Sequence, residues 1–265
     1  MADRRIFRFF TPVIAMFLLS CAHGYDIKKP VLQSDNLKIN CILYSPRRLV
    51  PGKKYPGIVL NHGGMKGAEF PVRAWSEDLA SKGFVVIVPQ FRGQGGSEGQ
   101  FEFARGEVND SLCALEYLKS LPYVDPGRVG MAGYSLGGLV TLRAAERVKG
   151  LKAIVVMSAL SDPVKFFEGL NDTPERKRRV ERYMPEIEEA SPLPSLDKID
   201  APVLVMHGEL DGRVSVEESR ELYKRLKSAG KDASLKIYPY ASHGLLWNQA
   251  PREHALKFLE ERLFP

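Results

Sequence analysis

The chain has 265 residues, of which 44% are hydrophobic and 26% are charged. This length and composition allow one large buried core and exclude a disordered chain. The formal net charge of +6 is a mild excess without a basic stripe that alternates with aromatic residues, so we expect no nucleic-acid partner.

The N-terminus has the pattern of an export signal. Three arginines within the first eight residues precede the apolar run 9–19, which is short for a membrane span, so we predict a signal peptide over residues 1–20. Ser20 followed by Cys21 resembles a bacterial lipobox, in which the cysteine is lipid-modified. We therefore expect a periplasmic or membrane-anchored lipoprotein whose membrane contact is made through that lipid. A plain cleaved signal and an uncleaved anchor are the alternatives.

Short apolar runs alternate with longer stretches of helical periodicity from Tyr55 onward. The runs predicted as buried strands cover residues 57–60, 84–88, 128–132, 153–157, 203–206 and 235–238. The stretches predicted as amphipathic helices lie near residues 72–81, 106–120, 136–148, 215–229 and 251–262. Continuous β-branched runs are typical of strands covered on both faces, so this alternation predicts an α/β fold with a doubly wound, mostly parallel sheet.

Two segments depart from this alternation. Residues 37–44 alternate between apolar and polar side chains, which predicts antiparallel edge strands after an N-terminal tail over residues 21–35. Residues 161–198 contain several prolines and no strand signal, so we expect a small helical cap inserted into the domain of residues 36–265. The charge run 175–182 within this cap is interpreted as a solvated helix face, with binding of acidic substrates as the alternative.

Two stretches match the G-x-S-x-G pattern of a nucleophile elbow, at Ser135 and at Ser97. An elbow needs a strand that runs straight into the serine and a helix that leaves it at once, so that the strained turn exposes the hydroxyl. Ser135 lies between a predicted strand and a predicted helix, whereas Ser97 lies in a glycine-rich loop. The sequence therefore predicts Ser135 as the nucleophile.

A serine hydroxyl needs an adjacent base, and five histidines are available. His243 follows the last predicted strand and would lie at the carboxyl edge of the sheet, where the sites of open α/β sheets are found. The acid that orients it should follow the preceding strand, where Asp211 precedes a glycine and Glu209 is the alternative. The order Ser135, Asp211, His243 is the order found in α/β-hydrolases.

The oxyanion of a tetrahedral intermediate needs two backbone N–H donors. The first is expected from Leu136, at the start of the helix after the nucleophile. The second is expected from the glycine-rich loop after the first core strand, from either Gly64 or Met65.

The cysteines and histidines indicate no metal site, because no CxxC pair and no His/Cys cluster at ligand spacing occurs. We expect no cofactor. Cys41 and Cys113 fall on a predicted strand and a predicted helix, and we expect them to be buried free thiols.

From Tyr55 onward the chain resembles the catalytic domain of prolyl oligopeptidase-type serine hydrolases and their esterase relatives. The segments that carry the resemblance are residues 61–64, 92–99, 124–138, 190–193, 202–208 and 242–244. The resemblance implies the α/β-hydrolase fold and aligns Ser135, Asp211 and His243 with the catalytic triad of that family. Two features differ: the peptidases usually carry a large β-propeller before the catalytic domain, and Met65 stands where many members have proline.

These features predict a metal-free serine hydrolase that cleaves small or medium carboxylic esters through an acyl-enzyme intermediate. Its partner would be a small-molecule ester. A small serine peptidase or amide hydrolase on the same triad is the alternative. A binding module that kept the fold without catalysis is disfavoured by the complete triad, elbow and glycine loop.

Overall fold

The computed structural model of the protein describes residues 24–68, 70–169 and 173–264. The strands in these ranges are β1 Tyr25–Lys28, β2 Val31–Ser34, β3 Leu37–Pro46, β4 Tyr55–Asn61, β5 Val85–Pro89, β6 Val124–Tyr134, β7 Ile154–Met157, β8 Val203–Gly208 and β9 Ala233–Tyr238. The α-helices are α1 Phe70–Ser81, α2 Gly106–Ser120, α3 Leu136–Ala145, α4 Pro163–Glu168, α5 Pro174–Ala190, α6 Val216–Ser228 and α7 Gln249–Leu263. Short 3₁₀ helices cover Leu193–Lys198 and Leu245–Trp247.

The strands form one sheet in the order β1-β3-β5-β4-β6-β7-β8-β9, with β2 paired to β3. Strands β4 to β9 pair in parallel, whereas β1, β2 and β3 pair antiparallel. Every residue of β4, β5, β7 and β8 is buried, which is why these strands read as continuous apolar runs. The predicted fold class, a doubly wound and mostly parallel sheet, is confirmed.

Different helices cover the two faces of the sheet. Helices α2, α3 and α6 bury residues such as Leu115, Val140 and Leu222 in one core cluster. Helices α1 and α7 bury Trp75 and Leu259 in the other. Each fully buried aliphatic side chain stabilises the fold by roughly 1.5–3 kcal/mol. Because both faces are closed, the carboxyl edge of the parallel strands is left for the functional loops.

The N-terminal tail predicted over residues 21–35 is wrong in its described part, because residues 25–34 form β1 and β2. Both strands have four residues and are mostly exposed, so they carry little hydrophobic periodicity. Asp35 and Asn36 join β2 to β3 with φ values of 47° and 65°. Positive φ at both central residues is what a two-residue hairpin turn requires, and this Asp-Asn pair is the signal that the sequence carries.

The part of the predicted cap that the structure describes is helical and lies between β7 and β8. Helix α4 begins at a cap in which the Asp162 carboxylate accepts a hydrogen bond from the Lys165 N–H at 3.1 Å. Helix α5 begins where the Thr173 hydroxyl oxygen accepts from the Arg176 N–H at 3.2 Å. Both helices have proline in the first turn, where its missing N–H costs nothing.

The cysteine prediction is correct for one residue and wrong for the other. Both described cysteines are free, and burial raises the pKa of Cys41 to about 12. Cys113, in the middle of α2, is only partly buried, with its Sγ 3.2 Å from the Gln33 carbonyl oxygen. The predicted signal peptide and Cys21 lie outside the described residues. Across the described ranges, no helix combines the length and apolar character that a bilayer span needs.

Candidate active site

Ser135 occupies a sharp turn between β6, which ends at Tyr134, and α3, which begins at Leu136. Its backbone has φ 56° and ψ −121°, a strained conformation for a residue with a side chain. The neighbouring glycines are a steric requirement of this turn. A Cβ at Gly133 would collide with the Gly137 carbonyl oxygen, and a Cβ at Gly137 would collide with the backbone of Asn61. The G-x-S-x-G pattern thus builds a nucleophile elbow here.

The three residues predicted as a triad come together at the carboxyl edge of the sheet. His243 Nε2 lies 3.1 Å from Ser135 Oγ. His243 Nδ1 lies 2.8 Å from Asp211 Oδ2, so the imidazole donates its Nδ1–H to the carboxylate and keeps Nε2 as the acceptor for the serine proton. This is the geometry of an activated nucleophile.

The carboxylate of Asp211 is fully buried and accepts hydrogen bonds on both oxygens. Oδ1 accepts from the N–H groups of Arg213 at 2.9 Å and Val214 at 3.0 Å. Burial by itself would raise the pKa of Asp211. The hydrogen bonds from His207, His243 and the two backbone N–H groups outweigh burial and hold this pKa far below its usual range. Asp211 therefore stays ionised at neutral pH and can stabilise an imidazolium on His243.

The two rival residues have other partners. The Ser97 hydroxyl donates to the Gln90 carbonyl oxygen at 2.5 Å and accepts from the Asn40 N–H at 2.9 Å, within the glycine-rich loop. Glu209 forms a bidentate ion pair with Arg220, with N–O distances of 2.8 and 2.7 Å. Neither Ser97 nor Glu209 forms a hydrogen bond with His243.

The residues predicted to hold the oxyanion surround Ser135. Leu136 is the first residue of α3, and the first N–H groups of a helix have no acceptor within the helix. Gly64 and Met65 line the same cavity as Ser135. A Cβ at Gly63 would lie 2.9 Å from the Tyr134 carbonyl oxygen, so only glycine allows this loop to approach the elbow so closely. The choice between the Gly64 and Met65 donors stays a prediction.

A buried histidine supports the oxyanion loop. His62 accepts from the Phe91 N–H through Nε2 at 3.4 Å, which leaves Nδ1–H to donate to the Gly63 carbonyl oxygen at 3.1 Å. Its ring packs on Phe91 with a centroid distance of 4.5 Å. Burial lowers the pKa of His62 to about 4, so the ring is neutral at physiological pH.

An apolar cavity of about 510 Å³ opens beside Ser135. Leu136, Leu160 and Val180 line part of its wall. Five aromatic rings from the 99–105 loop, α4 and α5 also line it, namely Phe101, Phe103, Phe166, Phe167 and Tyr183. The Phe103 ring packs against Phe101, Phe167 and Tyr183 at centroid distances of 5.0, 5.9 and 5.2 Å. The cavity can therefore hold an aromatic or branched apolar group next to the nucleophile.

The loop that carries Phe103 is strained and anchored. Phe103 and Ala104 have φ values of 52° and 61°, which side-chain-bearing residues seldom adopt. Arg92 is buried beneath the loop and binds Asp110 at 2.8 Å and Glu102 at 3.0 Å. This ion-pair network holds the aromatic wall in place.

A second cavity of about 390 Å³ meets the first at Ser135 and is more polar, although Val72, Phe166 and Val214 also line it. His243, Tyr134, Trp247 and the exposed guanidinium of Arg213 line it. Phe101, Phe103 and Arg213 were not predicted from the sequence as site residues. The sequence features that point to them are two phenylalanines in a glycine-rich loop and an arginine two residues after the catalytic acid.

Comparisons with known proteins identify the family to which the chain belongs. A family model described as the prolyl oligopeptidase family matches residues 72–263. The chain is 31% identical over 216 residues to the uncharacterized peptidase YtmA of Bacillus subtilis, covering 79% of this chain and 83% of that protein. It is 31% identical over 251 residues to human dipeptidyl peptidase 8, covering 84% of this chain but 27% of the relative.

Two solved structures share the fold. An acylaminoacyl peptidase from Pyrococcus horikoshii superposes with a TM-score of 0.75 at 23% identity, over 91% of this chain and 42% of that one. An esterase from Pyrococcus furiosus superposes with a TM-score of 0.73 at 21% identity, over 98% and 97% of the two chains. The chain thus spans 27% and 42% of the two larger peptidases, and 83% and 97% of the two smaller relatives. This protein belongs to the prolyl oligopeptidase family of serine hydrolases.

Proposed function

We propose that this protein is a small serine peptidase that cleaves short peptides after a bulky apolar residue, through an acyl-enzyme on Ser135. The observation that carries the proposal is the meeting of two unlike cavities at the nucleophile. The aromatic cavity suits an apolar side chain next to the scissile carbonyl. The polar cavity offers the N–H donors of Arg213 to a neighbouring peptide carbonyl.

The similarity to YtmA supports the same proposal, because that protein is named a peptidase and matches over most of its length. The ester preference predicted from the sequence is therefore the second candidate. The aromatic cavity is also compatible with ester cleavage, because its wall can hold the acyl chain of a carboxylic ester as well as an apolar side chain.

The proposed reaction begins when Ser135 Oγ attacks the substrate carbonyl carbon and its proton passes to His243 Nε2. Negative charge on the carbonyl oxygen is stabilised by the N–H of Leu136 and by that of Gly64 or Met65. The C–N bond then breaks, and the leaving amine takes the proton from His243 while Asp211 stabilises the imidazolium. Water activated by His243 attacks the acyl-enzyme and releases the acid.

The test compares two N-acetylated dipeptide amides with an activated ester. We expect N-acetyl-Phe-Ala-amide to be cut at the Phe-Ala bond, measured by mass spectrometry, and N-acetyl-Gly-Ala-amide to be cut at least about tenfold more slowly because it leaves the aromatic cavity empty. Ser135→Ala is the inactive control. Rapid turnover of p-nitrophenyl butyrate with no cleavage of either peptide would contradict the peptidase proposal and favour the esterase.

A further inference from the structure

We propose that His207 is a positioning residue of the triad, which holds Asp211 through a second imidazole N–H and is itself fixed by Ser219. His207 is the penultimate residue of β8, just before the loop that carries Asp211. Ser219 lies in the first turn of α6. The inference depends on the triad and not on whether the acyl donor is a peptide or an ester.

The contacts of His207 define its tautomer. Nε2 lies 3.1 Å from Asp211 Oδ2 and 3.1 Å from the Val214 carbonyl oxygen. Both neighbours are acceptors, so Nε2 carries the hydrogen and donates to them. Nδ1 lies 2.6 Å from Ser219 Oγ, so it accepts the hydroxyl hydrogen. The His207 side chain is fully buried.

Asp211 Oδ2 therefore accepts from two imidazoles, His207 at 3.1 Å and His243 at 2.8 Å. Its Oδ1 accepts from two backbone N–H groups of the same loop. Rotation of the carboxylate would break all four bonds. The second imidazole thus fixes the direction in which Oδ2 faces His243, which is the property that the base needs from its acid.

His207 also stabilises the charge on Asp211. An N–H dipole that points at Oδ2 stabilises the ionised carboxylate. Without this donor, the carboxylate would attract the Nδ1–H of His243 more strongly. The acid limb of the pH profile of serine labelling should then move to higher pH.

Two carboxylates face His207, Asp211 on the loop after β8 and Glu218 on α6. Glu218 Oε2 accepts from the N–H groups of Ser161 and Asp162, each at 3.0 Å. Burial raises the pKa of Glu218 to about 7, so its own titration falls in the range of the pH profile. The profile is therefore measured in a Glu218→Gln background as well, where this carboxylate does not titrate.

The experiment measures the rate at which a fluorophosphonate labels Ser135, as a function of pH, in four proteins. His207→Phe keeps the ring and removes both nitrogens. His207→Gln keeps an N–H donor near Asp211. His254→Phe makes the same change at a histidine that contacts Tyr238 instead of the triad. The unaltered protein is the reference, and circular dichroism with the melting temperature establishes that each variant is folded.

We expect His207→Phe to lower the plateau labelling rate on the order of tenfold to a hundredfold, as losses of such supporting partners do. Its acid limb should move up by roughly 0.5–1 pH unit, in both backgrounds, because one hydrogen bond to a carboxylate is lost. His207→Gln should recover most of the rate, and His254→Phe should leave the profile unchanged. An unchanged limb and plateau in folded His207→Phe would overturn the proposal, as would a Gln variant no better than Phe.

A measurement on the unaltered protein covers the case in which the Phe variant does not fold. Long-range ¹H–¹⁵N NMR of histidine-labelled protein should show His207 with hydrogen on Nε2 and not on Nδ1. Ser219→Ala removes the hydroxyl that selects this tautomer and should lower the labelling rate several-fold. A His207 ring with hydrogen on Nδ1 would overturn the proposal, because Nε2 could not then donate to Asp211.

Discussion

The hydroxyl of Tyr134 donates a hydrogen bond to the backbone carbonyl oxygen of His243 at 2.7 Å. Tyr134 immediately precedes the nucleophile, and its ring also lies against the imidazole, with a centroid distance of 5.2 Å. One residue of the elbow thus holds the loop of the catalytic base, although 109 positions separate the two in the chain. The Ser135–His243 distance depends on this contact.

Removal of this hydrogen bond should affect turnover more than binding. We expect Tyr134→Phe to lower kcat about tenfold, the effect of roughly 1.4 kcal/mol, while KM changes little. Steady-state kinetics with p-nitrophenyl acetate measure both constants. Tyr240→Phe is the matched control, because Tyr240 is 93% exposed. An unchanged kcat in Tyr134→Phe would show that the base loop is held by other contacts.

The two acidic candidates after β8 should differ widely when each carboxylate is replaced by an amide. Asp211→Asn should lower turnover by about 10⁴, because the imidazole loses the partner that fixes its tautomer. Glu209→Gln should have a small effect, since Glu209 is paired with Arg220 at the surface. The ratio of kcat values for one substrate measures the difference. A larger loss in Glu209→Gln would reassign the acid.

The aromatic wall should set the size of the acyl group. Phe103 packs against three other rings of the cavity, so Phe103→Ala should enlarge it and move the preferred p-nitrophenyl ester to a longer acyl chain. Each added methylene that the new space buries is worth about 0.8 kcal/mol, or roughly fourfold in kcat/KM. Leu210→Ala, at an exposed position that does not line the cavity, is the control. The same chain-length optimum in both variants would exclude Phe103 as a determinant.

The stability of the fold should depend on the protonation of His62. Its pKa is about 4 when folded and 6.5 ordinarily. Between these values the unfolded chain binds a proton that the folded chain does not. The contribution of neutral His62 to the free energy of unfolding is therefore complete above pH 6.5 and is lost as the pH falls to 4. The loss is on the order of 3 kcal/mol. Urea titrations at several pH values should therefore show that the difference in unfolding free energy between the unaltered protein and His62→Gln shrinks as the pH falls.

Glu146 provides a control of opposite sign for that experiment. Burial raises its pKa to about 7, above the ordinary 4.5. The folded chain holds the extra proton in this range, so the Glu146 contribution is complete below pH 4.5 and is lost as the pH rises through 7. The stability difference from Glu146→Gln should therefore grow as the pH falls. Parallel trends for the two variants would contradict one of the two assignments, and the direction of the shared trend would show which.

The three triad residues could be predicted from the sequence because each follows a predicted strand, at the carboxyl edge of the sheet. The strands before Ser135 and Asp211 are continuous apolar runs, and the serine has its own local glycine pattern. Local sequence patterns of this kind can be recognised without knowledge of the contacts between distant segments. Strands β1 and β2 have no such pattern, because a strand of four residues that is largely exposed is too short to show a detectable periodicity.

The walls of the cavities could not be predicted, because they are made by segments far apart in the chain. Phe103 meets Phe167 and Tyr183 only when the 99–105 loop and the cap fold over Ser135. The support that His207 gives to Asp211 likewise needs the position of α6. The expected lipid on Cys21 stays a prediction that depends on residues outside the described ranges.

We propose that Ser135 is the residue acylated during turnover. Peptide mapping by mass spectrometry, after reaction of the folded protein with a fluorophosphonate, tests this assignment together with labelling of the Ser135→Ala and Ser97→Ala variants. We expect one adduct, on the peptide that contains Ser135, with labelling lost in Ser135→Ala and retained in Ser97→Ala. An adduct on Ser97, or undiminished labelling of folded Ser135→Ala, would contradict it.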